Sequence, residues 1–404
     1  MDGADSAEIV IVGGGPAGML AGLLFARAGI ETLVLEKHAD FFRDFRGDTV
    51  HPSTMEILSE LGMLDRFLQR PHHRLDKAEI DFNGRLLTIG DLSHLSTPAP
   101  FIAMMPQWDF LDFLRDEAAA FPKFRLRLVA EAGSLVEHAG RVTDVRLTTG
   151  GRIRAEKLVI MADGRDSLVR REGLLPLQDL GAPIDVLWFA VPKAGRGNAL
   201  RGSVKGRRLL VQIDRGDYWQ CAYVIAKDGA QGVISQGIER FRADISKTAP
   251  GLSGLDQALP SFAAVRVLSV SLDRLTRWHR PGLLAIGDAA HAMSPVGGIG
   301  INLAIQDAVC AANVLASPLK KIAQVDDLLE LVEKRRLLPT RLVQAGQKAA
   351  HDLLLSPLVS GRREGRDAPL ALRLLDRLPF LRRLPGRAIG LGIRREHVRS
   401  PLDP

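Results

Sequence analysis

The first forty residues change from apolar to small and polar positions in an order that predicts strand, loop, helix and strand. The run Glu8 to Val12 is β-branched and apolar, as is typical of a buried parallel strand. Apolar and small residues from Met19 to Ala28 predict a helix, and Thr32 to Leu35 predict a second strand that ends at Glu36. The loop between the first strand and the helix reads Gly13-Gly14-Gly15-Pro16-Ala17-Gly18.

Two later apolar runs also end in an acidic residue and a glycine-containing turn. Lys157 to Ala162 predicts a strand that leads into Asp163-Gly164, and Gly282 to Ile286 predicts one that leads into Asp288. A glycine-rich loop, Pro295 to Asn302, follows the second of these and opens a helix that runs to about Ala316. A carboxylate at a strand end beside a helix N-terminus predicts a second site for a polar ligand.

The remaining patterns differ in character. Residues 76–104, 184–226 and 265–278 contain alternating apolar and polar positions, which predict a mostly antiparallel sheet with one solvated face. Residues 131–156 predict hairpins, and residues 232–247, 252–259 and 325–354 predict helices.

The loop from Gly13 to Gly18 has the spacing of a dinucleotide-binding turn. The first glycine permits the tight turn, Gly15 lets the backbone approach a pyrophosphate, and Gly18 lets the helix lie close to the strand. Glu36, about 20 positions on, is placed to accept hydrogen bonds from a ribose. We expect Pro16, Ala17 and Lys37 to complete the site, and the loop alone leaves FAD and NAD as alternatives.

Composition narrows the class of protein. The 404 residues are 46% hydrophobic and 25% charged, which excludes a wholly disordered chain and predicts about two or three domains. Two cysteines cannot form a disulfide framework, and no apolar run approaches the length of a membrane span. Since the N-terminus also lacks a basic signal-peptide region, we expect a cytoplasmic enzyme.

The net charge of +7 is concentrated near the C-terminus. Residues 361–404 hold eleven arginines and five acidic residues. We expect this tail to cover one face of the protein or to touch an anionic membrane, because no nucleic-acid-binding motif accompanies it. No metal-binding spacing of Cys and His occurs either, and His72-His73 is typical of a solvated loop.

With these three motifs in this order, the segment Glu8 to Ala316 resembles the class A FAD-dependent aromatic hydroxylases, such as para-hydroxybenzoate hydroxylase and the ubiquinone-biosynthesis hydroxylases. The resemblance implies that the first loop and Glu36 hold the ADP half of FAD. It also implies that Asp163-Gly164 contacts FAD and serves NAD(P)H, and that Asp288 contacts the ribityl and pyrophosphate region. The other cofactor-binding residues implied by the resemblance are Arg46, Gln107, Gly298, Gly300, Ile301 and Asn302. Ile299 and Ile301 depart from the more usual family residues without removing a backbone donor.

The resemblance also implies a reaction. NAD(P)H, bound transiently, reduces FAD, O2 adds at the flavin C4a carbon, and the hydroperoxide transfers one oxygen atom to an aromatic, polyketide or quinone-like small molecule. Hydroxylation and epoxidation both remain open. The backbone carbonyl of Pro295 is the group expected near the reacting centre, and no side chain needs to act as nucleophile.

The fold class predicted is α/β, or α+β overall. A Rossmann-like FAD-binding domain (1–75, 105–180 and 270–355) is interleaved with a mostly antiparallel substrate domain (76–104 and 181–269). A basic helical tail (356–404) follows.

Substrate contacts are expected from the sheet. Period-two alternation puts Trp219, Cys221 and Tyr223 on one face of a predicted strand, where they form an aromatic wall or pack in the sheet core. His51 and Trp188 are further candidates.

Three other functions share the predicted fold. A flavin halogenase is disfavoured because its Trp-x-Trp-x-Ile-Pro signature is missing. A reductase of prenyl or other unsaturated substrates, and a non-catalytic flavin-binding redox sensor, remain alternatives at this point.

Overall fold

The computed structural model describes residues 5–42, 49–193, 200–322, 324–359 and 368–403. The strands are β1 (Asp5–Val12), β2 (Thr32–Leu35), β3 (Thr49–Val50), β4 (His73–Leu75), β5 (Lys77–Phe82), β6 (Arg85–Asp91), β7 (Ile102–Met104), β8 (Phe124–Arg127), β9 (Ala132–His138), β10 (Arg141–Leu147), β11 (Arg152–Met161), β12 (Leu177–Asp179), β13 (Ile184–Pro192), β14 (Leu200–Lys205), β15 (Arg208–Asp214), β16 (Tyr218–Ala226), β17 (Arg266–Ser269), β18 (Asp273–Leu275), β19 (His279–Arg280), β20 (Leu283–Ala285) and β21 (His291–Ala292). The helices are α1 (Pro16–Arg27), α2 (Pro52–Glu60), α3 (Leu64–Leu68), α4 (Gln107–Ala118), α5 (Leu168–Arg171), α6 (Ala230–Ile234), α7 (Ile238–Thr248), α8 (Leu255–Ala258), α9 (Gly300–Leu319), α10 (Asp326–Ala350), α11 (Ser356–Val359), α12 (Leu370–Arg377) and α13 (Pro379–Gly390).

The first sheet carries the three motifs on one edge. Its strand order is β19-β20-β11-β1-β2-β8, in which β20, β11, β1, β2 and β8 are parallel, and the hairpin β9-β10 extends β11. Strands β1, β11 and β20 are neighbours and run in the same direction, so their carboxyl ends lie side by side. The loop after β1, Asp163 after β11 and Asp288 after β20 therefore meet at the crevice where nucleotides bind in such sheets.

The second sheet has the order β17-β13-β16-β15-β14-β5-β6 and is antiparallel except for the β14–β5 pair. Its strands come from two separate stretches of the chain, 77–91 and 184–269. One face packs against α7 and α8 through a core that includes Phe241 and Leu255. The other face packs against Ile102 and Met104 of β7. These two sheets confirm the predicted fold class.

Some elements differ from the sequence prediction. The helix expected over 232–247 is two helices, α6 and α7, because Gly237 adopts φ +86°, outside the helical region. The alternating segment 265–278 is divided between two sheets, as β17 pairs with β13 whereas β18 pairs with β12 and β21.

The C-terminal region was expected to be helical, but only α11 to α13 are helices among its described residues, and the last part is extended. The first sheet and the helices α1, α9 and α10 that pack on it are called the first domain below. From residue 391 to residue 403 the chain crosses this domain and binds its helices. Arg27 of α1 donates to the Ser400 carbonyl (3.1 Å), and the backbone amides of Arg399 and Ser400 donate to Oδ1 of Asn313 in α9 (2.7 and 2.8 Å). The predicted "tail" is therefore partly an integral layer of the FAD-binding domain.

Within the described residues, one helical stretch, Val296–Leu319, has the length and hydropathy of a membrane span. In this protein 72% of its most apolar window is buried, since α9 packs against α1 and α10 in the first core.

Candidate active site

The glycine loop after β1 leaves space where a phosphate group would lie. Gly13 has φ +107°, and a Cβ on it would stand 2.4 Å from the Ala162 carbonyl oxygen. A Cβ on Gly18 would stand 1.9 Å from the Gly13 carbonyl oxygen, so both glycines are required by the fold itself. A Cβ on Gly15, by contrast, would meet nothing within 4 Å. Gly15 caps α1 and Pro16 opens it, so the first amides of this helix face the open side.

Glu36 holds the same loop from the end of β2. Its Oε2 accepts a hydrogen bond from the Gly14 amide (3.0 Å), and its Oε1 accepts one from the His38 amide (3.0 Å). The side chain is buried, whereas Lys37 next to it is exposed. Both carboxylate oxygens of Glu36 thus bind backbone amides of this part of the chain. These features fit the adenosine half of FAD.

Asp163 is a carboxylate with one oxygen fixed and one available. Its Oδ2 accepts from the Leu168 amide at the start of α5 (3.0 Å), and its buried Oδ1 has no hydrogen-bond partner among the described residues. Burial raises the pKa of Asp163, and the Ser167 side chain and the Leu168 amide offset part of that rise. An acceptor with unused capacity beside Gly164 suits a hydroxyl-bearing ligand such as FAD or NAD(P)H.

Asp288 faces the N-terminus of α9. Arg165 donates from Nε to Oδ2 of Asp288 (3.2 Å) and from a terminal nitrogen to the Met293 carbonyl (3.1 Å). Oδ1 of Asp288 is 4.0 Å from the position of a Cβ on Gly300. Both charged side chains are about one-third exposed, so they can contact a bound ligand.

The loop from Pro295 to Asn302 is pinned by side-chain hydrogen bonds that leave its outer backbone accessible. Thr49 Oγ1 donates to the Gly298 carbonyl (3.1 Å). A Cβ on Gly298 would stand 2.5 Å from Thr49 Oγ1. Oδ1 of Asn302 accepts from Thr54 Oγ1 (2.8 Å). Ile301 packs on the first core, and Pro295 is exposed. The Asn302 side chain therefore anchors the loop by hydrogen bonds and the Ile301 side chain does so by packing, while the first amides of α9 have no partner within the helix and can bind a ligand.

Two further predicted residues have different outcomes. Gln107 opens α4 after Pro106 and is half-buried, beside Trp108, whose ring lies 4.8 Å from that of Phe42. Arg46 lies outside the described residues.

The predicted aromatic wall lies on the face of the second sheet that α7 and α8 cover. Trp219, Cys221 and Tyr223 are buried in the core shared with the helices, where the Tyr223 and Phe241 rings meet at 5.4 Å and 82°. They therefore pack in the sheet core, which was the alternative interpretation. Burial raises the pKa of both the Cys221 thiol and Tyr223.

The opposite face of the sheet points toward the first domain. Trp188, Ala222 and Val224 share a core with Met104 of β7. Strand β7 pairs with β3, and Thr49 of β3 binds the loop at Gly298. Through β7 and β3, this face of the sheet is therefore connected to the glycine-rich loop 295–302.

Gln220 lies on this second face and is buried. Its Oε1 accepts two hydrogen bonds from Arg215 (2.7 and 2.5 Å), which fixes the amide orientation because a guanidinium only donates. Its Nε2 has no hydrogen-bond partner among the described residues. Burial raises the pKa of Asp109 in the first turn of α4, and the positive charge of Arg215 offsets part of that rise.

His51 is fully buried at the start of α2. Its Nδ1 donates to the Ile389 carbonyl (2.8 Å), and its backbone amide donates to Oδ1 of Asn302 (3.3 Å). Burial lowers the pKa of His51 to about 4, so the imidazole is neutral near pH 7. The side chain is directed at the C-terminal helix α13, while its backbone supports the loop.

A buried charged cluster beneath Asp288 gave no local sequence signal. Asp307 of α9 accepts from Arg336 of α10 (2.9 Å), from the Gly287 amide (3.1 Å), and lies 2.6 Å from His291 Nε2. Burial alone would raise the pKa of Asp307, but His291 and Arg336 lower it below the ordinary value. These residues are separated by up to 49 positions, so only the fold brings them together.

Comparison with known proteins agrees with this geometry. The family described as FAD binding domain matches residues 6–346. The 6-methylpretetramide 4-monooxygenase of Streptomyces rimosus is 32% identical over 99% of this chain and 96% of that protein. The para-nitrophenol 4-monooxygenase of Pseudomonas sp. (strain WBC-3) is 26% identical over 81% of this chain and 82% of that protein.

A solved structure shows the same fold. The anhydrotetracycline hydroxylase from Streptomyces rimosus superimposes with a TM-score of 0.72 at 22% identity, covering 95% of this chain and 76% of that chain. The resemblance to FAD-dependent aromatic hydroxylases is thereby confirmed. This chain belongs to the FAD-binding family of flavoprotein monooxygenases, and it is an FAD- and NAD(P)H-dependent oxidoreductase.

Proposed function

We propose that this monooxygenase hydroxylates a flat, polycyclic aromatic compound of the polyketide type. The observation that carries the proposal is the 32% identity, over nearly the full length of both chains, to an enzyme named for 6-methylpretetramide. The overall reaction consumes the substrate, O2, NAD(P)H and a proton. It yields the hydroxylated substrate, NAD(P)+ and water, which balances atoms and electrons.

The residues at the carboxyl ends of β1, β11 and β20 would hold FAD. The open backbone at Gly15 and the α1 N-terminus would bind the pyrophosphate, and Glu36 would accept from the ribose. The available oxygen of Asp163 and the carboxylate of Asp288 would bind hydroxyl groups of the ribityl chain or of NAD(P)H. When bound, FAD supplies the redox chemistry that couples NAD(P)H oxidation to the use of O2.

The substrate would lie between the loop 295–302 and the second face of the sheet. Trp188, Ala222 and Val224 are buried in an apolar core with Met104, and this core would form the floor beneath a flat ring system. The Nε2–H group of Gln220 would donate to a carbonyl or phenol oxygen, since Arg215 already holds the other end of the amide. One polar group in an apolar wall would set the orientation of the ring.

The chain's main task in the reaction is to orient the ring and to exclude water. The reaction would occur beside the loop that begins at the Pro295 carbonyl and ends at Asn302. His51 supports that loop and remains neutral. No acidic or basic side chain is required as a nucleophile. Cytoplasmic location stays a prediction.

The test is oxygen-dependent oxidation of NADH and of NADPH by the purified yellow protein, with single-ring phenols and with tricyclic and tetracyclic aromatic polyketides. We expect the polycyclic compounds to stimulate oxidation and to gain one oxygen atom by mass spectrometry. Stimulation by single-ring phenols alone would contradict the substrate class. A saturated product formed without O2 uptake would instead identify a reductase.

A further inference from the structure

The C-terminal helices carry a row of exposed apolar side chains. Leu370 and Leu374 of α12 and Leu378, directly after that helix, follow one another at intervals of four residues, and Phe380 and Leu384 do so on α13. Phe380 is 63% exposed and Leu384 is 67% exposed. These five side chains are called the apolar ridge below. Large apolar side chains grouped in this way mark an interaction surface.

The inner side of the two helices is fixed to the protein. Gly386 lies against β6, where a Cβ would stand 1.9 Å from the Asp91 carbonyl oxygen. Asp376 accepts from the Thr88 amide (3.2 Å) and pairs with Arg85 (3.2 Å) and Arg382. The ridge is therefore presented on a rigid support.

The charge beside the ridge has one sign. Residues 368–390 contain five arginines and one acidic residue, and that acidic residue is Asp376, which faces inward. Arg377, Arg383 and Arg387 are exposed and form no ion pair within the part of the chain that the structure describes. The outward face of α12 and α13 thus combines apolar side chains with unpaired positive charge.

We propose that this face binds an anionic lipid surface, with the apolar ridge at the level of the acyl chains and the arginines on lipid phosphates. This combination is typical of helices that lie in a membrane interface. A second copy of the chain fits less well. In a symmetric dimer the same patch would meet itself and oppose like charges from both copies.

The experiment is co-sedimentation of the full-length, FAD-loaded protein with phosphatidylcholine vesicles and with vesicles that also contain phosphatidylglycerol. We expect binding to the anionic vesicles, and weaker binding at high salt because surface charge is screened. Arg383→Gln with Arg387→Gln should lower the partition coefficient about fivefold for each arginine. Phe380→Ser with Leu384→Ser should lower it further, while FAD content stays that of the wild type.

Matched controls change similar residues elsewhere on the surface. Arg146→Gln with Arg154→Gln removes two exposed charges from the β10–β11 hairpin, and Leu177→Ser removes a side chain that is 47% exposed on β12. These variants should bind vesicles like the wild type. Binding that is equal with and without phosphatidylglycerol, or equal for the ridge variants and the controls, overturns the proposal. A dimer that Phe380→Ser dissolves, without any vesicle binding, would assign the ridge to a second copy.

Discussion

Nε2 of His291 lies 2.6 Å from Oδ2 of Asp307, and neither side chain is exposed to solvent. Arg336 donates to Oδ1 of the same carboxylate. The Gly287 amide, beside Asp288, donates to Oδ2. The cluster thereby joins α9, α10 and the turn that carries Asp288, for which we propose a role in cofactor binding. Disruption of this cluster should therefore lower the stability of the protein and also disturb the turn that carries Asp288.

Replacing Asp307 by Asn should destabilise the protein by about 3 kcal/mol, because the buried Arg336 loses its shorter ion pair (2.9 Å) and keeps the longer one with Glu396 (3.6 Å). Thermal or urea unfolding measures this loss. Glu330→Gln, which breaks the exposed pair with Lys334, should change the free energy of unfolding by less than about 1 kcal/mol. Equal effects of the two substitutions would show that the buried cluster adds little stability.

The stability of the protein should fall as the pH decreases from about 6.5 to 4, in part because of His51. The pKa of His51 is lowered to about 4 in the folded protein, so protons bind first to the unfolded chain in this range. The full effect is about 3 kcal/mol. Urea unfolding of the FAD-free protein at pH 7 and pH 5 should show a smaller pH dependence for His51→Phe than for the wild type. The exposed His73→Phe is the control, and an unchanged dependence in His51→Phe would contradict the assignment. At still lower pH the stabilising charge of Asp307, whose pKa is lowered, is lost in turn.

Substitutions at Gly15 and at Gly18 should have different effects, the first on FAD binding and the second on folding. A Cβ at Gly15 would have no protein atom within 4 Å, so Gly15→Val should fold normally but bind FAD about ten- to a hundredfold more weakly, as the loss of hydrogen bonds to a charged phosphate implies. Gly18→Ala should destabilise the apoprotein, because its Cβ would overlap the Gly13 carbonyl. Flavin fluorescence titration and apoprotein melting distinguish the two. Undiminished FAD affinity in Gly15→Val would move the phosphate site elsewhere.

Asp288→Ala should yield purified protein with little bound FAD, since the variant removes the carboxylate and leaves the Arg165 guanidinium unpaired in the site. The ratio of flavin to protein absorbance is the measurement. Asp256→Ala, at an exposed position on α8, is the matched control. Full flavin occupancy in the Asp288 variant would exclude Asp288 from cofactor binding.

Gln220 and Gln212 are buried glutamines on opposite faces of the second sheet, and they allow a direct test of which face binds substrate. Gln220→Leu should raise KM about tenfold, in line with the loss of a hydrogen bond of about 1.4 kcal/mol. Gln212→Leu should leave KM unchanged. FAD content verifies that both variants are intact. A larger effect at Gln212 would return the substrate site to the helix-covered face.

The nucleotide-binding half of the protein could be predicted in detail from sequence. Gly18 is needed because of the nearby Gly13 carbonyl in the same loop, and such local requirements appear as fixed spacings. The same holds for Glu36, which reaches back to Gly14. The three strand ends were recognisable one by one for this reason.

The sequence by itself determined the parallel strands, the glycine loop, the acids at the strand ends and the membership in a flavoprotein class. Only the tertiary structure decided which face of the second sheet α7 and α8 cover. Alternation separates Tyr223 from Ala222 but does not say which of the two faces the helices cover. The tertiary structure also decided that Arg336 and His291 share Asp307. It decided as well that the chain after residue 391 crosses the first domain. These contacts join residues far apart in the chain, and no local pattern encodes them because each residue alone is equally compatible with other partners.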